Sequence, residues 1–227
     1  MALRKFAEIQ KLAEKHHGKA GLQKLLAESP YGKPRSLNQE DDRFLSAMTQ
    51  AVFSAGFSWE VIENKWPGFE AAFDRFDPHK VAFYADCDVA RLLKDARIVR
   101  NGAKIDATIA NAMFVIDTAK KHGSFGKFLS GWPANDQVGL MEHFQKKARF
   151  MGPAATMYFL RSNGWDSYIL SPDVTKALIR EKVVSGNVHS KANMRAVQSA
   201  FNKWTSETGL LQKNVSRILS YSVGPSA

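Results

Sequence analysis

One cysteine, Cys87, stands in a chain of 227 residues, so no internal disulfide can form and a reducing, cytoplasmic setting is the expectation. No apolar run reaches the roughly 18 residues a membrane helix needs. The opening stretch, MALRKFAEIQKLAEKHHGKAG, has a polar helical pattern and does not resemble an apolar signal sequence. No glycine-rich nucleotide loop occurs, and the six histidines are scattered without the spacing of a zinc-binding helix. Neither a cofactor nor a metal is therefore expected. Cys87 lies between two aspartates rather than in the electropositive setting a reactive thiol needs, so it is no candidate nucleophile. Acidic residues are scarce in one region only: residues 141–227 carry 12 Lys/Arg against 5 Asp/Glu, whereas residues 1–140 carry 20 against 17.

That asymmetry accounts for most of the net charge of +10 and suggests a polyanionic partner, nucleic acid above all. Basic surfaces also occur on proteins that bind no polyanion, so charge alone leaves both readings open. The hydrophobic content of 44%, with 15 Phe and 5 Trp, is enough for one substantial domain or two lobes able to enclose a cleft.

What is present is helical. Strand-type alternation is nearly missing, whereas apolar residues recur at three- and four-residue steps in about ten or eleven segments, which predicts an all-α fold. Phe6, Ile9, Leu12 and Ala13 share one face of a first helix stopped by Gly18, and a second short helix ends before Pro30. Residues 30–38 form a turn-rich link, followed by a long helix from Asn38 to Gly56. Asp77-Pro78 is a cap followed by a first-turn proline. Val89, Leu92 and Leu93 then predict one buried stripe, and Ile105, Ile109, Ala112, Met113 and Ile116 another that stops at Gly123. Residues 124–133 look loop-like at their end; helices follow at about 137–148, 153–163 and 172–184, with two more in the tail.

Three clusters could carry chemistry. In RFMGPAATMYFLR the turn at Gly152-Pro153 opens a helix, and main-chain N–H groups at such a start suit a phosphate; an ordinary helix N-terminus reads the same way. In TQAVFSAGFSWEVIENKW the aromatics Phe53, Phe57, Trp59 and Trp66 crowd a helix end and the turn after it, where flat rings could sandwich a flipped-out base. Core packing is the bland alternative, and Trp59, beside the small Gly56 and Ser58, is the ring best placed to face a cleft. Around the tight RNG turn, Arg97, Arg100 and Lys104 could meet phosphates or simply be solvated.

The stretches AGFSW, AAFDRFDPHKVA, DVARLLKDARIVRNGAKIDATIANA and GSFGKFL, in that order over roughly residues 36–178, resemble the bacterial 3-methyladenine DNA glycosylase I family of the helix-hairpin-helix superfamily. The resemblance implies two helical lobes flanking a cleft, double-stranded DNA as partner, and hydrolysis of the N-glycosidic bond of a flipped alkylated purine. A cationic methylated base stacks well on electron-rich rings and is already a good leaving group. The base pocket implied comprises Trp59, Phe53, Gln50 and Tyr31 from the linker. Gly152, Pro153 and Thr156 would anchor the DNA backbone, with Arg100 and Lys104 adding charge. A monomer with an N-terminal helical extension (1–30), a glycosylase-like domain (31–227) and extended C-terminal helices (185–227) is expected.

Two departures stand out. The family's structural zinc is held by two cysteines and two histidines, and this chain has only Cys87, with Asp173 where a zinc histidine would fall. The family's base-recognising glutamate falls on Ala51; Gln50 is adjacent, but one helical step rotates it by about 100°. Many other helix-hairpin-helix glycosylases carry a catalytic aspartate after the hairpin, at a position occupied here by Ser171. Asp173, two residues on, is either a weak catalytic candidate or a helix-start residue favoured by the macrodipole. A catalytically inactive DNA- or damage-binding module is the alternative, and a helical protein with another partner a third.

Overall fold

A computed structural model describes residues 3–28, 35–56 and 58–224. Tyr31 and Phe57 therefore lie outside the described residues. Among those described the chain is all-α, with thirteen helices and no strand, as the periodicity predicts. It divides into two compact units: residues 1–34, 133–140 and 166–227 form the first, and residues 35–132 and 141–165 the second.

The first unit gathers α1 (Phe6–His17), α2 (Lys19–Ala27), the start of α9 (Gln137–Lys147), α11 (Pro172–Arg180), α12 (Lys191–Thr208) and α13 (Gln212–Tyr221). The two chain ends are joined by polar ties as well as apolar contact. Phe6 is buried against Trp204, ring centroids 5.8 Å apart, while the Trp204 indole N–H donates to the Arg4 carbonyl at 3.0 Å. The buried Glu181 carboxylate bridges Arg4 (2.9 Å) and Arg180 (2.7 Å), and Arg217 caps α2 by donating to the Leu25 and Leu26 carbonyls. Burying these groups is tolerated because the atoms named here are paired with one another.

The second unit is built around α7 (Gly102–His122), which packs on α3 (Asp41–Ser54), α5 (Pro78–Val81), α6 (Asp86–Lys94) and α8 (Phe125–Gly131). Asn101 caps α7, accepting from the Lys104 N–H, and Gly123 in the left-handed region (φ 87°) ends it. The predicted stripes are narrower than expected. In α6 only Leu92 is buried and Leu93 is exposed; in α7 Met113 is exposed, while Thr108, Asn111 and Phe114 join the buried face. Asn111 is on that face because its amide holds both main-chain groups of Arg149.

A larger departure is α4 (Trp59–Ala72), a full helix where aromatics were expected to crowd a turn. Ser58 caps it by accepting from the Val61 N–H, and Pro67 sits inside it. Gly68 beside that proline is obligatory, because a Cβ there would meet the Arg97 carbonyl oxygen at 2.7 Å. Trp66 thus belongs to packing: its ring stacks on Phe69 (5.1 Å) and Phe76 (5.4 Å). This ladder supports a strained turn. Asp74, Arg75 and Phe76 all have positive φ (50°, 55°, 62°), at about 1–2 kcal/mol each for non-glycine residues. Arg43 offsets that cost by donating to the Arg75 carbonyl at 2.6 Å while also gripping Glu70, and the Tyr84 hydroxyl donates to Asp74 at 2.7 Å. Residues 124–133 hold the short helix α8 and are loop-like at their end, from Trp132 on, as expected, whereas α11 stops at Arg180 because Lys182 turns to φ 58°.

Candidate active site and DNA interface

The segment before α10 (Pro153–Ser162) forms a hairpin with the end of α9. Pro153 occupies the first helical turn and the cap residue is Gly152, which offers no side chain to the N–H groups behind it. Gly152 has an ordinary backbone (φ −68°, ψ 175°), and a Cβ would meet nothing within 4 Å. Neither strain nor internal crowding therefore calls for glycine here. Thr156 is fully buried and its hydroxyl donates to the Met151 carbonyl at 3.0 Å, so it braces the turn from inside. Phe150, at φ 58°, stands exposed at the tip.

The hairpin is fixed by a residue that sequence reasoning had passed over. Asn111, fully buried on α7, donates to the Arg149 carbonyl at 3.1 Å and accepts from the Arg149 N–H at 2.7 Å. One amide thus satisfies both main-chain groups of a loop residue. The available signal was a lone Asn inside an otherwise apolar helical stripe, a position that requires a hydrogen-bond partner.

Trp59 opens α4 with 46% of its surface exposed, and its ring lies 6.0 Å from Tyr158 at an interplanar angle of 57°. Tyr158 belongs to α10, five residues beyond Pro153, or about 7–8 Å along the helix axis. One helix therefore carries the bare hairpin end and half of an aromatic corner. The Tyr158 role was not anticipated; its only sequence signal is an aromatic ring at short range from the Gly-Pro turn.

The remaining candidates separate. Phe53 is fully buried, edge-on to Phe69 at 4.7 Å, with the Lys104 ammonium 5.6 Å over its ring. It presents no face to a ligand, because the core surrounds it. Lys104 reaches back to the carbonyls of Phe53 (3.2 Å) and Ala55 (2.6 Å), closing the C-terminus of α3, and burial lowers its pKa. Arg100 is exposed ahead of α7, and Gln50 is half-buried on α3. Ala51 is buried, 7% exposed. One turn beyond Gln50, the buried Ser54 hydroxyl has no hydrogen-bond partner among the described residues.

Asp173 stands in the first turn of α11 and pairs with Lys176 at 3.4 Å, while the cap itself is Ser171, which accepts from the Val174 N–H at 3.2 Å. Cys87 is exposed, and among the described residues no three His, Cys, Asp or Glu side chains gather around a point.

Residues 28–159 match the methyladenine glycosylase family. The chain belongs to that family. Among relatives, DNA-3-methyladenine glycosylase 1 of Escherichia coli (strain K12) is 39% identical over 75 residues, which is 33% of this chain and 40% of that protein. The alignment thus spans well under half of this curated relative. The fold is similar to a 3-methyladenine DNA glycosylase I from Staphylococcus aureus (TM-score 0.53, 24% identity, 70% of this chain and 95% of that one). It is also similar to an 8-oxoguanine glycosylase/lyase from Methanocaldococcus jannaschii solved with DNA containing 8-oxoguanine (TM-score 0.50, 12% identity, 95% of each chain). At these identities the two structures establish the helix-hairpin-helix glycosylase fold. No described helix is long and apolar enough to cross a membrane.

Proposed function

We propose that this member of the family is a DNA glycosylase that excises alkylated purines, acting as a monomer on duplex DNA. The observation that carries the reading is the exposed Trp59 meeting Tyr158 on the helix whose start is the uncapped Gly152-Pro153 hairpin. A cationic methylated base flipped against that corner gains face contact and cation–π attraction, while main-chain N–H groups of α10 take the phosphate. With Ala51 in place of a carboxylate, the base edge is left to Gln50 and to the unpartnered Ser54 hydroxyl. Phe53, held in the core, and Lys104, bonded to the end of α3, are left out of this site, and Arg100 remains as an exposed cation ahead of α7.

Chemically, the C1′–N bond breaks, its electron pair leaves with the cationic base and neutralises it, and water adds to the sugar with loss of one proton. The leaving group is good because it departs neutral. Trp59 and Tyr158 orient the base and shield it from water; no acid at position 51 assists. Asp173 is read as a helix-start residue, since its carboxylate is paired with Lys176. The second reading, a DNA-binding module without hydrolysis, is favoured by Ala51 and by Ser171 at the place of a catalytic aspartate.

The test is release of methylated bases from alkylated duplex DNA. The parent should release base, and Trp59→Ala should reduce the rate about ten- to a hundredfold, from the roughly 1–3 kcal/mol of a base–aromatic stack. DNA bound with no base released from any lesion would favour the non-hydrolysing module.

A further inference from the structure

We infer that the converging ends of α7 and α9 form a second phosphate-binding strip, continuing the hairpin's grip along duplex DNA. The inference rests on the glycosylase reading above and concerns how far the DNA contact extends. α7 closes on Lys120, Lys121 and His122, and α9 closes on Lys146 and Lys147, immediately before Arg149 in the hairpin. All six side chains are exposed.

Two helix ends meet here because one ring holds them. The Phe128 ring of α8 lies 5.2 Å from the His122 ring and 5.2 Å from the ring of His143, one turn back on α9. Trp132 closes the group at 5.6 Å from His143. Arg149 is tied to the same body by the Asn111 amide. The cations are therefore carried on a fixed frame adjoining the hairpin.

Lysines at helix C-termini have an ordinary explanation, since they meet the negative end of the macrodipole. That accounts for each end separately. It does not account for two such ends brought against one ring, which costs repulsion. Nor are the charges tied up in pairs: the exposed acids one turn away are Asp117 and Glu142, and among the described residues none of these six side chains takes part in an ion pair. Burial lowers the pKa of His143, and the charges of Lys147, His122, Lys121 and Lys146 lower it further, which marks the surrounding potential as positive. A basic strip whose lysines are not held in ion pairs, flanking a backbone-gripping hairpin, fits the phosphates of the same strand.

The experiment compares the parent with Lys121→Ala/Lys146→Ala in binding a short duplex across a salt series. Thermal unfolding serves as the folding control. Each lost phosphate contact lowers the slope of log affinity against log salt by about 0.9, so the double variant should be flatter by nearly 2. Its deficit should accordingly shrink about tenfold between about 50 and about 200 mM salt. A normally folded variant with the parent's slope overturns the strip and leaves the hairpin reading intact. A parent that shows no salt-dependent duplex binding at all sinks the glycosylase reading itself. Tighter binding of duplex RNA than of duplex DNA, lost in the variant, would assign the strip to another partner and also overturn the inference.

Discussion

The starts of α10 and α11 use the same punctuation and end up chemically opposite. Each has a small residue followed by proline: Gly152-Pro153 in one, Ser171-Pro172 in the other. At α11 the chain closes the helix itself, with the Ser171 hydroxyl on the Val174 N–H and the Asp173 carboxylate in the positive field of the first turn. At α10 no side chain does either job. A helix start that supplies its own acceptor and its own anion has little left for a ligand. One that supplies neither retains both hydrogen-bond donors and field, and so the phosphate belongs at α10.

Making the two starts alike gives the largest expected effect. Gly152→Asp places at α10 the kind of group α11 already carries, at a position where a side chain meets no obstacle. A self-made cap should leave stability unchanged or raise it by a few tenths of a kcal/mol, since glycine is itself a tolerated cap. Duplex affinity should fall about ten- to a hundredfold, because the displaced phosphate contact is charge-assisted and worth about 1.5–3 kcal/mol. Titration of a fluorescent duplex checks this, and undiminished affinity would take the phosphate away from the hairpin. Next comes Asn111→Ala. It strands the Arg149 N–H and carbonyl, at about 1–3 kcal/mol for each group left without a partner. Chemical denaturation should show that loss, with weakened duplex binding as the hairpin loosens. On the α11 side, Ser171→Ala should cost about 1 kcal/mol of stability, as capping losses do, and leave DNA affinity at the parent's level.

The same contrast shows what could be read in advance. The all-α class and most helix limits were legible, because they depend on local signals: Asn101 and Gly123 around α7, Asp77-Pro78 before α5, the small residue and proline before α10 and α11. The resemblance of short stretches to one glycosylase family was legible too, and the match over residues 28–159 agrees with it. The fates of single polar and aromatic side chains were not. Lys104 reads as a surface cation until it is seen to close α3 through carbonyls some fifty residues earlier in the chain. Phe53 and Trp59 sit six residues apart in one aromatic cluster, yet one is core and the other exposed, since α3 ends and α4 begins between them. Tyr158 gains its place only through the packing that brings α10 beside Trp59. Periodicity reports which face of a helix is buried; it carries no information on what lies against that face.

The smallest expected effect decides the most. Asp173 is partly exposed, pairs with a lysine three residues on, and meets the dipole of a helix that Ser171 already caps. Such a surface pair is worth about 0–1 kcal/mol, and Asp173→Asn keeps the size of the side chain and an acceptor oxygen. The variant should lose a few tenths of a kcal/mol in stability, from the about 0.3–1 kcal/mol that a charge contributes at a helix end. Its rate of methylated-base release should stay within about threefold of the parent, which corresponds to well under 1.4 kcal/mol on the tenfold scale. A folded variant whose release falls by orders of magnitude would reverse the comparison, making α11 the reacting end. The pairing with Lys176 would then describe a resting state that DNA must break, and the good leaving group would not be sufficient without an acid.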